Sequence, residues 1–388
     1  MLRLFLIFIF CLFWTLNSTA ANPDSTVEKR NFQLSVFPYV GTEGAYSHNY
    51  IYNISLNLLA GITGGVDGIE LGGLVNINRY TMKGLQGSGF GNIVNGNTDG
   101  IQLAGFFNVN NSYTNGFQGA GFINVVNNSA KIFQASGFTN VINGNINGAQ
   151  ASGFANVVSG DAEVLQAAGF VNVTGGKMNG LQAAGFANIA SEAEGVQLAG
   201  FINVAGRIKG MQLGFINVAD TIDGIPVGFI SVVKRGGYKK FELSGGDVMN
   251  LNIGFKLGVR RFYNFLTMGA QFIGDNSVYS YGYGIGSEFY MSDSRYLNIE
   301  IGSQNLVKQK LWRSERLTLL NQLKVSYARD IDERWQIFAG PVLNVLVSGK
   351  NNGESGLIDP APYHIVEYEG SRADTKIWIG LNAGLRFW

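Results

Sequence analysis

Cysteine is nearly absent: the only one in 388 residues is Cys11. It lies in an apolar run without the small neighbours a lipoprotein cleavage site needs, so the chain beyond it has no disulfide, thiol nucleophile or thiolate metal site. Charge is scarce as well. Charged residues make up 14% and the formal net charge is +1, which leaves no basic field to hold nucleic acid. Imidazole is limited to His48 and His364, and six prolines leave strands largely uninterrupted. Glycine is the residue in excess, 54 in all, and it calls for many tight turns. A single packed core is an improbable answer for a chain of this length and texture.

The first residues predict an exported protein. Arg3 precedes an apolar stretch from Leu4 to Leu16, broken only by Thr15, and then come Ser18, Thr19, Ala20 and Ala21. This basic, apolar and small-residue order predicts a signal peptide over residues 1–21, cut after Ala20 or Ala21. The stretch is short for a membrane-spanning helix.

From Gly84 to Val233 the chain repeats itself. Phe90, Phe106, Phe122, Phe138, Phe154, Phe170 and Phe186 recur every 16 residues, and Phe201, Phe215 and Phe229 follow at 15, 14 and 14. A fixed short period marks a repeat architecture whose units bury their apolar faces against one another. Within each unit the residues alternate as in a strand, one parity carrying Gln, Phe and Asn. The expected structural ladder comprises Asn92, Asn108, Asn124, Asn140, Asn156, Asn172 and Asn188, Gln102, Gln118, Gln150 and Gln182, and Phe106, Phe122, Phe154 and Phe186. Side-chain amides stacked about 4.8 Å apart can donate to one neighbour and accept from the other.

Two geometries fit the array: a β-solenoid of about ten or eleven 16-residue coils over residues 65–233, or one large antiparallel sheet or barrel with one strand per repeat. The spacing from Gln212 to Phe215 is three where earlier repeats have four. In one continuous strand that change would reverse the faces, whereas a solenoid corner absorbs it; the solenoid is therefore the expectation. Residues 22–64 read as N-terminal strands, with 31–40 and 50–60 available for one hairpin.

After the basic junction Lys234-Arg235-Gly236-Gly237-Tyr238-Lys239-Lys240 the alternation becomes strict and longer. Ile377, Ile379, Leu381, Ala383, Leu385 and Phe387 share one face, against Lys376, Trp378, Gly380, Asn382, Gly384 and Arg386. Met249, Leu251, Ile253, Phe255, Leu257 and Val259 make a second such set. About eight segments of this kind over 234–388 predict an antiparallel β-barrel. Short connections are expected at 260–261, 292–295 and 330–334, and longer ones at 274–277, 305–315 and 348–375. Loop asymmetry, export and the aromatic residues Tyr279, Tyr281, Tyr283 and Trp335 favour an outer-membrane barrel over a soluble one with its apolar face inward.

The segment from Gly65 to Arg79, the Gly-x-Gln-x-Ala-Gly-Phe-x-Asn-Val repeats, the run from Ile222 to Val233 and Gly258-Val259-Arg260-Arg261-Phe262-Tyr263-Asn264 resemble the bacterial surface repeat-containing proteins. That resemblance implies an envelope location and no particular activity. The C-terminus is similar to the assembly signal of outer-membrane barrels, except that the apolar register ends on Phe387 and leaves Trp388 one step out.

A search for chemistry finds little. His364 lies near Asp359, Glu367 and Glu369, a set that reads as a solvated loop before it reads as a metal or acid–base cluster. Asp330, Asp332 and Glu333 read as a polar turn. No catalytic, cofactor or metal residue is expected. The expected function is a non-catalytic envelope protein, an outer-membrane barrel bearing a repeat scaffold for adhesion or structural contacts. The alternative is an outer-membrane hydrolase or transferase acting on lipid or glycan with His364 at its mouth. Expected partners are outer-membrane lipid and envelope proteins or glycan, with no nucleic acid. An even strand count returns the chain to its starting side, so the repeats are expected in the periplasm and the loop at 359–369 outside.

Overall fold

A computed structural model describes residues 27–273, 276–308, 317–351, 354–355 and 363–387; the expected signal peptide and Asp359 lie outside them. The fold is all-β, a β-solenoid of about eleven turns and a closed eight-stranded antiparallel barrel. The chain divides into two compact units, residues 1–200 and 201–388.

In the first unit most coils contribute a longer and a shorter strand, such as Thr98–Ala104 and Phe107–Asn110, and the last ones run on as single strands, Val171–Ala184 and Ala187–Ala199. Successive coils pair in parallel and in register, Gln118 between Gln102 and Gln134, Asn108 between Asn92 and Asn124. The corner glycine is required by close approach. A Cβ on Gly105 would stand 2.1 Å from the carbonyl oxygen of Gly89 in the preceding coil. Gly84 has a second reason, a φ of +100° that side-chain-bearing residues rarely adopt.

Residues 31–40 and 50–60 do not form a hairpin. Lys29–Phe37 runs parallel to Ile51–Asn57, which runs parallel to Gly65–Gly72. The array therefore begins earlier than its visible repeats. Gln33 pairs with Ser55, Ser55 with Glu70 and Glu70 with Gln86, so the inward column already exists with degenerate residues.

The second unit opens with Ile202–Leu213 and Ile216–Val227, paired in register 14 residues apart. The residue lost between Gln212 and Phe215 comes out of the strand end before the corner, and both Gln212 and Asn217 stay buried. The barrel follows: β1 (Tyr238–Gly246), β2 (Leu251–Val259), β3 (Phe262–Ile273), β4 (Asn276–Ser292), β5 (Arg295–Lys308), β6 (Thr318–Asp330), β7 (Trp335–Asn351) and β8 (Ala373–Phe387). Each strand pairs antiparallel with the next, and β8 pairs with both β7 and β1, which closes the ring.

The β3–β4 ladder runs up to the pair Ile273 and Asn276, so strand pairing enters the expected connection at 274–277. The expected loop at 348–375 also contains order: Val366–Glu369 pairs with β8. Met249 departs from its expected face. It precedes β2 in the turn and points inward with Val248, Leu306, Leu320, Leu346 and Trp378, an apolar cluster at the barrel end away from Tyr238. Gly228 of the last coil accepts hydrogen bonds from Asn264 of β3 at 2.6 Å and Tyr283 of β4 at 3.1 Å.

Candidate functional site

The amide ladder is real and runs in two opposite directions. Asn92, Asn108, Asn124, Asn140, Asn156 and Asn172 each donate to the next Asn toward the C-terminus, the last to Asn188, at 2.8 to 3.0 Å. The second amide hydrogen of each goes to a backbone carbonyl eleven residues on, as from Asn156 to Ala167 at 2.8 Å. Gln102, Gln118, Gln134, Gln150, Gln166 and Gln182 donate the other way, each to the Gln of the preceding coil, at 2.7 to 2.8 Å. All of these side chains are fully buried. Such groups are tolerated inside only when paired, and repetition pairs them.

The Gln column ends on an acceptor. Gln86 donates to Glu70 at 2.7 Å, and Asn57 and Ser55 donate to the same carboxylate. Burial raises the Glu70 carboxyl above the ordinary range, against the lowering effect of the hydrogen bonds from Gln86, Asn78, Asn57 and Ser55.

The phenylalanines leave the core. Phe106, Phe122, Phe154 and Phe186 belong to a stack of rings 4.7 to 5.1 Å apart and within 7° of parallel. This stack lies on the outside: Phe106 is 41% exposed. The expected common face of Gln, Phe and Asn is broken by the bend at each Gly-Phe corner, which turns the ring outward between two inward amides. Other apolar side chains of the coils are exposed too, among them Ile101, Leu103 and Leu165.

Charge is sorted around the coil. Segments 86–94, 102–110, 118–126, 134–142, 150–158, 166–174, 182–190, 197–205, 212–219 and 226–233 carry no charged residue. Every charge between Met82 and Val233, from Lys83 and Asp99 to Asp220 and Asp223, falls in the intervening segments. The coil thus has one charge-free side and one charged side. The sequence held this signal, which a search for recurring residues passes over because it consists of recurring absences.

The barrel has its polarity reversed relative to a soluble one. Leu266, Ile301 and Leu381 point outward, with Leu381 70% exposed. Inward, Lys256 pairs with Glu242 at 2.5 Å and with Glu300, and Arg386 pairs with Glu242 at 2.7 Å and donates to Asn298 at 2.8 Å. Tyr263 donates to Glu300 at 2.6 Å, Tyr238 to Glu288 at 3.0 Å, and the Arg386 guanidinium lies 4.0 Å from the centre of the Phe338 ring. Side chains fill the interior, as expected of eight strands. On the outer wall Phe241, Phe255, Phe387 and Trp335 form an aromatic cluster near the end where β1 begins. Tyr281 is exposed on the same wall, whereas Tyr283 sits well inside β4 and stacks on Phe229 at 4.6 Å.

Around that barrel end lies an open cleft of about 490 Å³, lined by Lys234, Lys239, Arg260, Arg261, Asp223 and Glu333 among others. Lys234 pairs with Asp220 at 2.6 Å and holds its carboxyl below the ordinary range, and Arg260 pairs with Glu288 at 2.9 Å. His364 is placed 3.2 Å from the Lys376 ammonium, which pairs with Glu367 at 2.8 Å. Glu369 lies on the exposed strand Val366–Glu369. His48 sits in a short 3₁₀ turn against the Tyr39 ring. Asp332 caps its own turn by accepting from the backbone of Arg334 and Trp335. Among the described residues no group of three or more His, Cys, Asp or Glu is arranged to hold a metal ion. No family model, curated protein or solved structure matches this chain.

Proposed function

We propose that this chain is a non-catalytic bacterial envelope protein, anchored by a barrel in the outer membrane and carrying a repeat scaffold for adhesion or structural contacts. The observation that carries the reading is the inverted polarity of the barrel: an apolar wall outside and a buried ion-pair network inside. Water gives no reason to display Leu266, Ile301 and Leu381 around a closed ring, and lipid does. Closure also pairs each of the eight barrel strands with a neighbour on both sides, the condition for a sheet to cross a bilayer. No helix among the described residues is long and apolar enough to cross a membrane, so any crossing is made by strands. The charge-sorted coils supply a repeated surface, which supports the scaffolding reading. The chain enters β1 at the barrel end where β8 finishes at Phe387; with that end on the periplasmic side, the repeats that precede β1 are read as periplasmic.

The test is membrane fractionation with heat-modifiable migration, combined with epitope tags in intact cells. A tag in the turn at Gly144 should be hidden and one at Gly370 exposed. Recovery of the chain in the soluble fraction would overturn the membrane reading, and a surface-exposed tag at Gly144 would overturn the orientation.

A further inference from the structure

The coils of the second unit are held against the barrel in a defined rotational setting. On their charge-free side the ring column Phe201, Phe215 and Phe229 continues directly onto Tyr283, which belongs to the outward wall of β4. Tyr283 pairs across the sheet with Leu266 of β3, an outward residue 48% exposed. The column therefore abuts the apolar wall at the level of its exposed leucines. On their charged side, Asp223 and Gly224 of the last coil line the cleft with Arg260 and Arg261, the turn at the barrel's end. One side of the coil thus meets the apolar wall and the other meets the polar rim.

We infer that these coils lie along the bilayer, with the Phe201–Phe215 side resting on the boundary between acyl chains and headgroups in the leaflet nearest the junction. The inference rests on the membrane reading of the barrel and goes beyond it by assigning the charge-free side of these last coils to lipid. Continuity is the main argument: a surface that is apolar in β3 and β4 passes without a charged residue into Phe229, Phe215 and Phe201. Charge complementarity is the second, since Lys239, Arg260 and Arg261 collect at the rim where anionic headgroups would lie. A surface that is apolar on one side and charged on the other binds a bilayer flat, its apolar side sunk to the acyl boundary. In this setting adhesion or structural partners would meet the charged side, which carries Arg207, Lys209 and Asp220.

The experiment uses the full chain with Cys11 replaced by Ser, reconstituted in phosphatidylcholine–phosphatidylglycerol vesicles. Single cysteines at Leu266, Phe215 and Lys209 carry a small fluorophore, and heat-modifiable migration verifies folding of each variant; Phe201→Cys replaces Phe215→Cys should the latter misfold. Doxyl-labelled lipid should quench the labels at 266 and 215 and spare the label at 209, which iodide should quench instead. Quenching at 266 with none at 215 would overturn the inference and leave the membrane barrel standing, whether iodide reaches 215 or a second copy of the chain shields it from both. No lipid quenching at 266 would remove the barrel from the membrane and the inference with it.

Discussion

The array and the barrel both bury polar side chains, and they satisfy them by different means. In the array the Asn and Gln columns are neutral amides, and each rung finds a partner in an identical residue one coil away, as Asn156 does in Asn172. In the barrel charges are buried among the neutral groups, and their partners are distant and unlike: Arg386 reaches Glu242 across 144 residues of sequence. Repetition provides hydrogen bonds without charge because every rung is donor and acceptor at once. A ring of eight different strands has no such translation, so it must match each cation to a particular anion. The cost of an error differs accordingly: a lost rung orphans its neighbours, while a lost ion leaves an uncompensated charge in the interior.

The largest effect is therefore expected in the barrel. Arg386→Leu should destabilise it by about 3 to 5 kcal/mol, seen as a lower temperature for the heat-modifiable shift; an unchanged temperature would mean that the network contributes little. In the array Asn156→Leu removes the acceptor used by Asn140, an orphaned donor that should cost about 1 to 3 kcal/mol. Asn128→Leu, at an exposed turn position, should be near neutral. Equal melting temperatures for the two would erase the distinction between rung and turn.

Glu70 sharpens the comparison, because it is a charge-bearing group inside the neutral ladder. Its folded value is raised by burial, so the unfolded chain ionises first as pH rises. The stability of the protonated form is complete below the ordinary glutamate range and is lost as pH climbs through the raised value. Glu70→Gln, which restores the residue found in the following coils, should melt above the parent at pH 8 and level with it at pH 4. A parent more stable at pH 8 would show that the ladder's N–H groups hold the carboxylate ionised. The smallest effect belongs to the exposed pair of Lys177 and Glu194, 2.8 Å apart. Glu194→Gln should leave the melting temperature unchanged within the scatter of the curve, because solvent screens such a pair.

How much of this was readable in advance followed the same division. Sixteen-residue recurrence exposed the Asn and Gln columns, and strict alternation exposed eight barrel strands with the apolar set of β8 on one face. The first coils were hidden because their inward column reads Gln33, Ser55 and Glu70 at irregular spacing, with the 3₁₀ turn Gly44–Asn49 inserted. The outward turn of the phenylalanines was hidden because alternation holds only along a continuous strand, and the Gly-Phe corner interrupts it. Which charges pair inside the barrel was out of reach of pattern reading, since closure between β1 and β8 decides it.

The polarity of the barrel is the central claim, and a cysteine scan from Ile377 to Leu385 tests it most directly. With Cys11 replaced by Ser and the protein in vesicles, labels at 377, 379, 381, 383 and 385 should be quenched by doxyl lipid, and the even positions between them should not. Odd positions that react with a water-soluble thiol reagent and escape the lipid quencher would contradict a lipid-facing wall.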